Sequence, residues 1–139
     1  MKISSKGRYA LRMMIDLAEN HTGKWITIRE VSERQGISVK YLEQIVTGLT
    51  RAGLLRSVRG SQGGYMLKKP PEQYTIGEIL RAIEGELTPV ACLVDDVNQC
   101  ERKETCKTFT FWQGLYHAIN DYVDSVTLKD LANETVKIA

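Results

Sequence analysis

Two helix signals meeting at a tight glycine turn constrain this chain more than any other feature. Thr27 with Glu30 spells a capping box, in which each side chain meets an orphan backbone N–H at a helix start. Ile28 and Val31 share one face of the helix that follows. It stops near Gln35, where Gly36 can take the left-handed conformation that ends a helix. Ser38 is a good N-cap for a further helix, which buries Leu42, Ile45, Val46 and Leu49 and ends at Gly53. Two helices joined in this way are a helix-turn-helix.

The flanks extend that unit. Ser4 and Ser5 can cap a first helix over about 6–20, with Tyr9, Leu11, Met14, Ile15, Leu17 and Ala18 as a ragged apolar stripe. "KWITI" reads as a small strand. "LLRSVR", "GSQGG" and "YMLKK" read as strand, glycine loop and strand. The expected fold is therefore mainly α with a small β-hairpin wing (α+β), a winged helix-turn-helix over residues 1–70. Residues 71–139 form the second part. Pro70 and Pro71 close the wing, and Thr75 with Glu78 spells a second capping box before Ile76, Ile79, Leu80 and Ile83. A cysteine segment follows. Phe109, Trp112, Leu115, Tyr116, Ile119, Tyr122, Val123 and Val126 then recur at helical spacing, and Thr127 with Asp130 spells a third box. The broad apolar face of this long C-terminal helix exceeds what a small domain can cover. It suits dimerisation, because helix-turn-helix proteins bind paired half-sites, with folding back on its own winged helix as the alternative.

Charge divides the chain at the same place. Residues 1–70 carry 13 Lys and Arg against 5 Asp and Glu, whereas residues 71–139 carry 6 against 12. A basic module joined to an acidic one points to a polyanion partner for the first. No apolar run reaches the length of a membrane span, and the N-terminal residues lack the apolar stretch of a signal peptide, so a cytoplasmic protein without a membrane partner is expected.

The residues near the start of a recognition helix face base edges in the major groove. Here they are Ser38, Lys40, Tyr41, Glu43 and Gln44. Gln44 suits adenine or guanine edges, Lys40 takes guanine or phosphate, and the Tyr41 hydroxyl suits phosphate or its ring packs inward. Glu43 either accepts from cytosine or pairs within the helix with a neighbouring basic residue. Arg56, Arg59 and Gln62 flank the wing glycines, where arginine suits a narrow minor groove. Lys2, Lys6, Arg8, Lys68 and Lys69 either supply phosphate contacts or simply solvate the surface. The expected partner is double-stranded DNA.

Cys92, Cys100 and Cys106 lie in the polar stretch "CLVDDVNQCERKETC", spaced C-x7-C-x5-C. An odd count in a reducing compartment fits a closed disulfide framework poorly. The spacing matches neither zinc ribbons nor bacterial ferredoxins, and it leaves metal or cluster binding, redox thiols and inert cysteines open. An electron-transfer or cluster-carrier protein has no use for the Ser38–Gln44 helix or the glycine wing. His21 and His117 lie in a loop and on the long helix, with no triad or phosphate-loop motif, so no enzyme is expected.

Through "MKISSKGRYAL", "VSERQGIS", "YLEQIV", "AGLLRSVRGSQGGY" and "IGEILRAIEG", nearly the whole chain resembles the IscR, NsrR and CymR family of bacterial winged-helix regulators. The resemblance implies homodimers paired through the long helices, with Ser38, Lys40, Tyr41, Glu43, Gln44 and Arg59 facing DNA. It also implies an iron–sulphur cluster on Cys92, Cys100 and Cys106, of 2Fe–2S or 4Fe–4S type, since the CymR branch lacks these cysteines. A thiol-redox or zinc-responsive regulator using the same cysteines is the alternative. Two positions depart from the family. The first cysteine loop is longer than in IscR-like members, and Phe109 stands where their ligand histidine would be. Arg8 stands where NsrR-like members carry a ligand aspartate. The fourth ligand is thereby left to Asp95, Asp96, Glu101, Glu104 or an exogenous group, with His117 far along the helix.

Overall fold

A computed structural model describes residues 1–93 and 101–138. The helix-turn-helix is built as its caps dictate. Helix α1 spans Ser5–Glu19, α2 Ile28–Gln35 and α3 Val39–Arg51. The Thr27–Glu30 box closes in both directions, and Gly36 ends α2 at φ 66°, where a Cβ would be strained. Ser38 Oγ accepts from Tyr41 N–H at 3.2 Å and starts α3. Leu42, Ile45, Val46 and Leu49 form its buried face, each stabilising the fold by about 1.5–3 kcal/mol through burial.

Helix α1 has a wider buried face than its stripe predicts. Ala10, Met13, Met14 and Leu17 are fully buried, whereas Tyr9, Leu11, Ile15 and Ala18 are only partly so. The reason is position, since α1 is contacted by α2, α3 and later helices at once. Ser4 alone caps it, accepting from Gly7 N–H.

Strands β1 (Leu55–Val58) and β2 (Gly64–Leu67) pair antiparallel, with Leu55 opposite Leu67 and Val58 opposite Gly64. "KWITI" contributes a single bridge rather than a strand, Ile26 exchanging both backbone hydrogen bonds with Tyr65. The next residue is already the N-cap of α2, so the chain turns away after one pair.

After a short 3₁₀ turn at Pro71–Gln73 come α4 (Ile76–Glu84), α5 (Phe109–Ser125) and α6 (Leu128–Ala132). The expected box at α4 forms only halfway. Thr75 accepts from Glu78 N–H, but the Glu78 carboxylate turns to Lys69 at 3.0 Å. The box at α6 is complete. These two helix starts are stitched together, because Thr75 and Thr127 bridge through Ile76 N–H to Val126 C=O and Leu128 N–H to Tyr74 C=O. One core runs through both halves of the chain, with Ile76, Ile79, Leu80, Leu87 and Leu128 joining Met13, Leu42 and Leu49. Tyr74 is wholly buried and spans it, its hydroxyl donating to Leu54 C=O and accepting from Lys68 N–H.

Helix α5 behaves differently. Asn120 is its only buried residue, and Ile119 and Val123 lie against the core. Phe111, Leu115 and Tyr122 remain 64%, 37% and 45% exposed.

Candidate nucleic-acid interface and cysteine segment

With one side of α3 locked into the core, its other side is free. Ser38, Lys40, Glu43 and Gln44 are all exposed there. Ser38 Oγ is engaged as acceptor in the cap, so its hydroxyl hydrogen remains available as a donor. Among the described residues Glu43 enters no ion pair, which removes the intrahelical partner that would have explained it. Tyr41 resolves toward packing. Its ring meets Tyr9 edge-on at 5.5 Å and lies half-buried against the core, so it orients α3 on α1.

The wing stands beside this helix with Arg59 and Gln62 exposed near its tip. Between them runs an open groove of about 670 Å³, lined by Thr47, Thr50 and Arg51 of α3 and by Ser57 and Arg59 of the wing. Arginines and hydroxyls without a carboxylate along this lining suit a phosphate backbone. Other cations are committed elsewhere. Arg56 stacks over Trp25 at 5.7 Å, and Lys69 pairs with Glu78 and lies over the Tyr74 ring at 4.8 Å.

Two polar ties that fix the interface left no mark on sequence pattern. Asp16 on α1 is 1% exposed, and its carboxylate accepts from Arg34 Nη2 at 2.7 Å and from Gln35 Nε2 at 3.0 Å. Arg12 reaches Gln35 C=O, so α1 grips the end of α2 immediately before the turn. The second tie joins α4 to α5. Arg81 holds Asp124 at 2.8 Å and Asn120 Oδ1 at 2.7 Å, and Asn120 Nδ2 donates to Leu87 C=O at 3.1 Å. The Arg81 guanidinium keeps the Asp124 carboxyl below the ordinary carboxylate range. Leu87 opens the path to the cysteines, while Ile83 of α4 sits within 3.1 Å of a Cβ position at Gly48 of α3. Helix α4 thus touches the recognition helix on one side and, on the other, α5, just ahead of which Cys106 lies.

Cys92, in a short 3₁₀ turn, and Cys106, just ahead of α5, are half-exposed free thiols. Cys100, Asp95 and Asp96 lie outside the described residues. Hydrogen bonding from the Thr108 hydroxyl, at 3.2 Å from Sγ, and from the Thr108 and Phe109 amides pushes the Cys106 thiol below its ordinary pKa. A thiol so placed gives up its proton more readily than a free one, in the direction a soft-metal ligand needs. Among the described residues no three His, Cys, Asp or Glu side chains gather closely enough to hold a metal ion. His117 is exposed, edge-on to Tyr116. No helix among the described residues is long and apolar enough to cross a membrane.

Comparison with known proteins agrees with this architecture. The family model of Rrf2, described as iron-dependent transcriptional regulator, matches residues 3–134. The transcriptional regulator CymR of Bacillus subtilis is 39% identical over 97% of this chain and 92% of its own length. The solved structure of CymR, the global cysteine regulator of that organism, superposes with a TM-score of 0.77 at 37% identity, covering 98% of this chain and 99% of the other. IscR of Erwinia tasmaniensis is 37% identical over 96% of this chain and 79% of its own length. The structure of IscR from T. potens gives a TM-score of 0.74 at 34% identity, covering 100% of this chain and 93% of the other.

Proposed function

The chain belongs to the Rrf2 family of transcriptional regulators, and from that footing we propose that it is a homodimeric, DNA-binding regulator whose promoter affinity is set by an iron–sulphur cluster on Cys92, Cys100 and Cys106. The observation that carries the DNA half is the exposed polar face of α3, with Lys40, Glu43 and Gln44 free beside a wing that offers Arg59 and Gln62. Lys40 and Gln44 supply donors to base edges, and Glu43 accepts from cytosine and repels a mismatched acceptor. Arg51, Arg59 and the Ser57 hydroxyl line the path of a backbone, whereas the Thr47 hydroxyl is spent on Glu43 C=O at 2.8 Å. Helix α5 supplies the homodimer contact through Phe111, Leu115 and Tyr122, each apolar and uncovered in the single chain.

The cluster half rests on three cysteines in one segment, on the lowered pKa of the Cys106 thiol, and on likeness to IscR and to a family described as iron-dependent. When bound, such a cluster supplies an iron- and redox-sensitive joint between those thiolates. The protein's own part is mechanical. Asn120 ties Leu87 to α5, Arg81 ties α4 to α5, and α4 abuts α3 at Gly48, so a rearrangement of residues 92–106 bears on the placement of the recognition helix. Differential affinity for two such placements is the physical content of the switch.

The test is the absorption spectrum, with iron and sulphide content, of protein purified without oxygen. Visible sulphur-to-iron bands that disappear in Cys106→Ala support the cluster, and the iron count distinguishes 2Fe–2S from 4Fe–4S. Colourless protein after reconstitution overturns it. The lowered Cys106 thiol then favours a second reading, a thiol-redox or zinc-responsive regulator with the same DNA interface.

A further inference from the structure

Building on the DNA-reading role of α3, we propose that Val39 is a specificity-determining residue that reads the C5-methyl group of a thymine in the major groove. Val39 is the first residue of α3 and is 40% exposed. The fold does not account for it. Its side chain joins neither the core nor the residues packed around it. The cap at this helix start is made by Ser38, not Val39. A β-branched residue is also among the weaker helix formers. The exposed residues around it, Ser38, Lys40, Glu43 and Gln44, all carry hydrogen-bonding groups.

The edges of base pairs in the major groove offer donors, acceptors and one apolar group, the thymine methyl. An uncovered valine among hydrogen-bonding neighbours, at the end of the helix that enters first, is complementary to that group. Glu43 lies four residues, just over one helical turn, further along the same face, about 6 Å away along the axis. Base steps rise about 3.4 Å per strand. The thymine read by Val39 is therefore one or two steps from the cytosine that Glu43 accepts from.

The experiment starts from the duplex that the full-length protein enriches from a randomised pool. Each thymine in it is replaced in turn by deoxyuridine, which pairs identically and lacks only the methyl, and binding is followed by fluorescence anisotropy. At one thymine position per half-site, methyl removal should weaken wild-type binding about fourfold, the value of one buried methyl group. Val39→Ser should bind the methylated duplex weaker by a similar factor and be indifferent to methyl removal there. Val39→Thr, which keeps one methyl, should fall between them. An unchanged thermal midpoint in both variants excludes a folding effect. Wild-type binding blind to every methyl, or Val39→Ser as sensitive as wild type, overturns the proposal while leaving DNA reading intact. Failure to enrich any duplex overturns the DNA-reading proposal, and this one with it.

Discussion

Helices α3 and α5 are both amphipathic, yet only α3 is finished within the single chain. Helix α3 buries Leu42, Ile45, Val46 and Leu49 and turns a polar face outward. Helix α5 buries only Asn120 and leaves Phe111, Leu115 and Tyr122 uncovered. The apolar face of one builds the fold, whereas that of the other stays uncovered in the single chain. An uncovered patch of this kind marks an interaction site rather than a core.

That contrast breaks most visibly under salt. DNA binding through the basic face should weaken roughly 10³-fold between 50 and 200 mM salt if six or more phosphates are engaged. Pairing through the apolar face of α5 should hold over the same range, since burial of apolar surface is not screened. Anisotropy titrations beside sedimentation equilibrium measure the two, and parallel salt slopes would erase the distinction.

A charge on α5 is the next largest perturbation. Leu115→Glu should give monomers in sedimentation and lower duplex affinity by about a hundredfold, because two half-sites are no longer engaged together. A dimeric Leu115→Glu protein would place the subunit contact elsewhere. Truncation then separates the two helices by stability. Leu42→Ala should cost about 2–5 kcal/mol in denaturant unfolding. Leu115→Ala, measured at a dilution where chains are single, should stay within about 0.5 kcal/mol. Equal losses would contradict a half-finished α5.

The smallest effect concerns the tie that holds α5 to α4. Arg81 lowers the pKa of Asp124 in the folded chain, so the pair contributes stability above the ordinary carboxylate value of about 4. That contribution is lost as pH falls through the lowered value. Because Asp124 is 45% exposed, it amounts to a few tenths of a kcal/mol. Thermal midpoints of Asp124→Asn should lie slightly below wild type at pH 7 and converge with it in acid. A constant offset at all pH values would assign the effect to packing.

The contrast also explains what was legible in the sequence. Caps are local, so Thr27 with Glu30, Ser38, Gly36 and Thr127 with Asp130 marked helix boundaries that the structure reproduces. Once the buried stripe of α3 is known, its polar face follows by subtraction. Ties between distant residues leave no spacing to read. Asp16 with Arg34, Tyr74 with Leu54, and Arg81 with Asn120 and Asp124 emerge only when the helices are packed. Glu78 was misread for the same reason, since Lys69, nine residues earlier, outcompeted the local cap. Val39 was hidden differently, because an exposed valine beside a buried stripe looks the same in sequence as one more core residue.

In the proposed switch, the state of residues 92–106 sets the placement of α3. Its most direct test is duplex affinity measured on the same anaerobic preparation before and after removal of bound iron, in wild type and in Cys106→Ala. The account predicts a change of about tenfold or more in wild type and none in the variant. Equal wild-type affinities in the two states would contradict it.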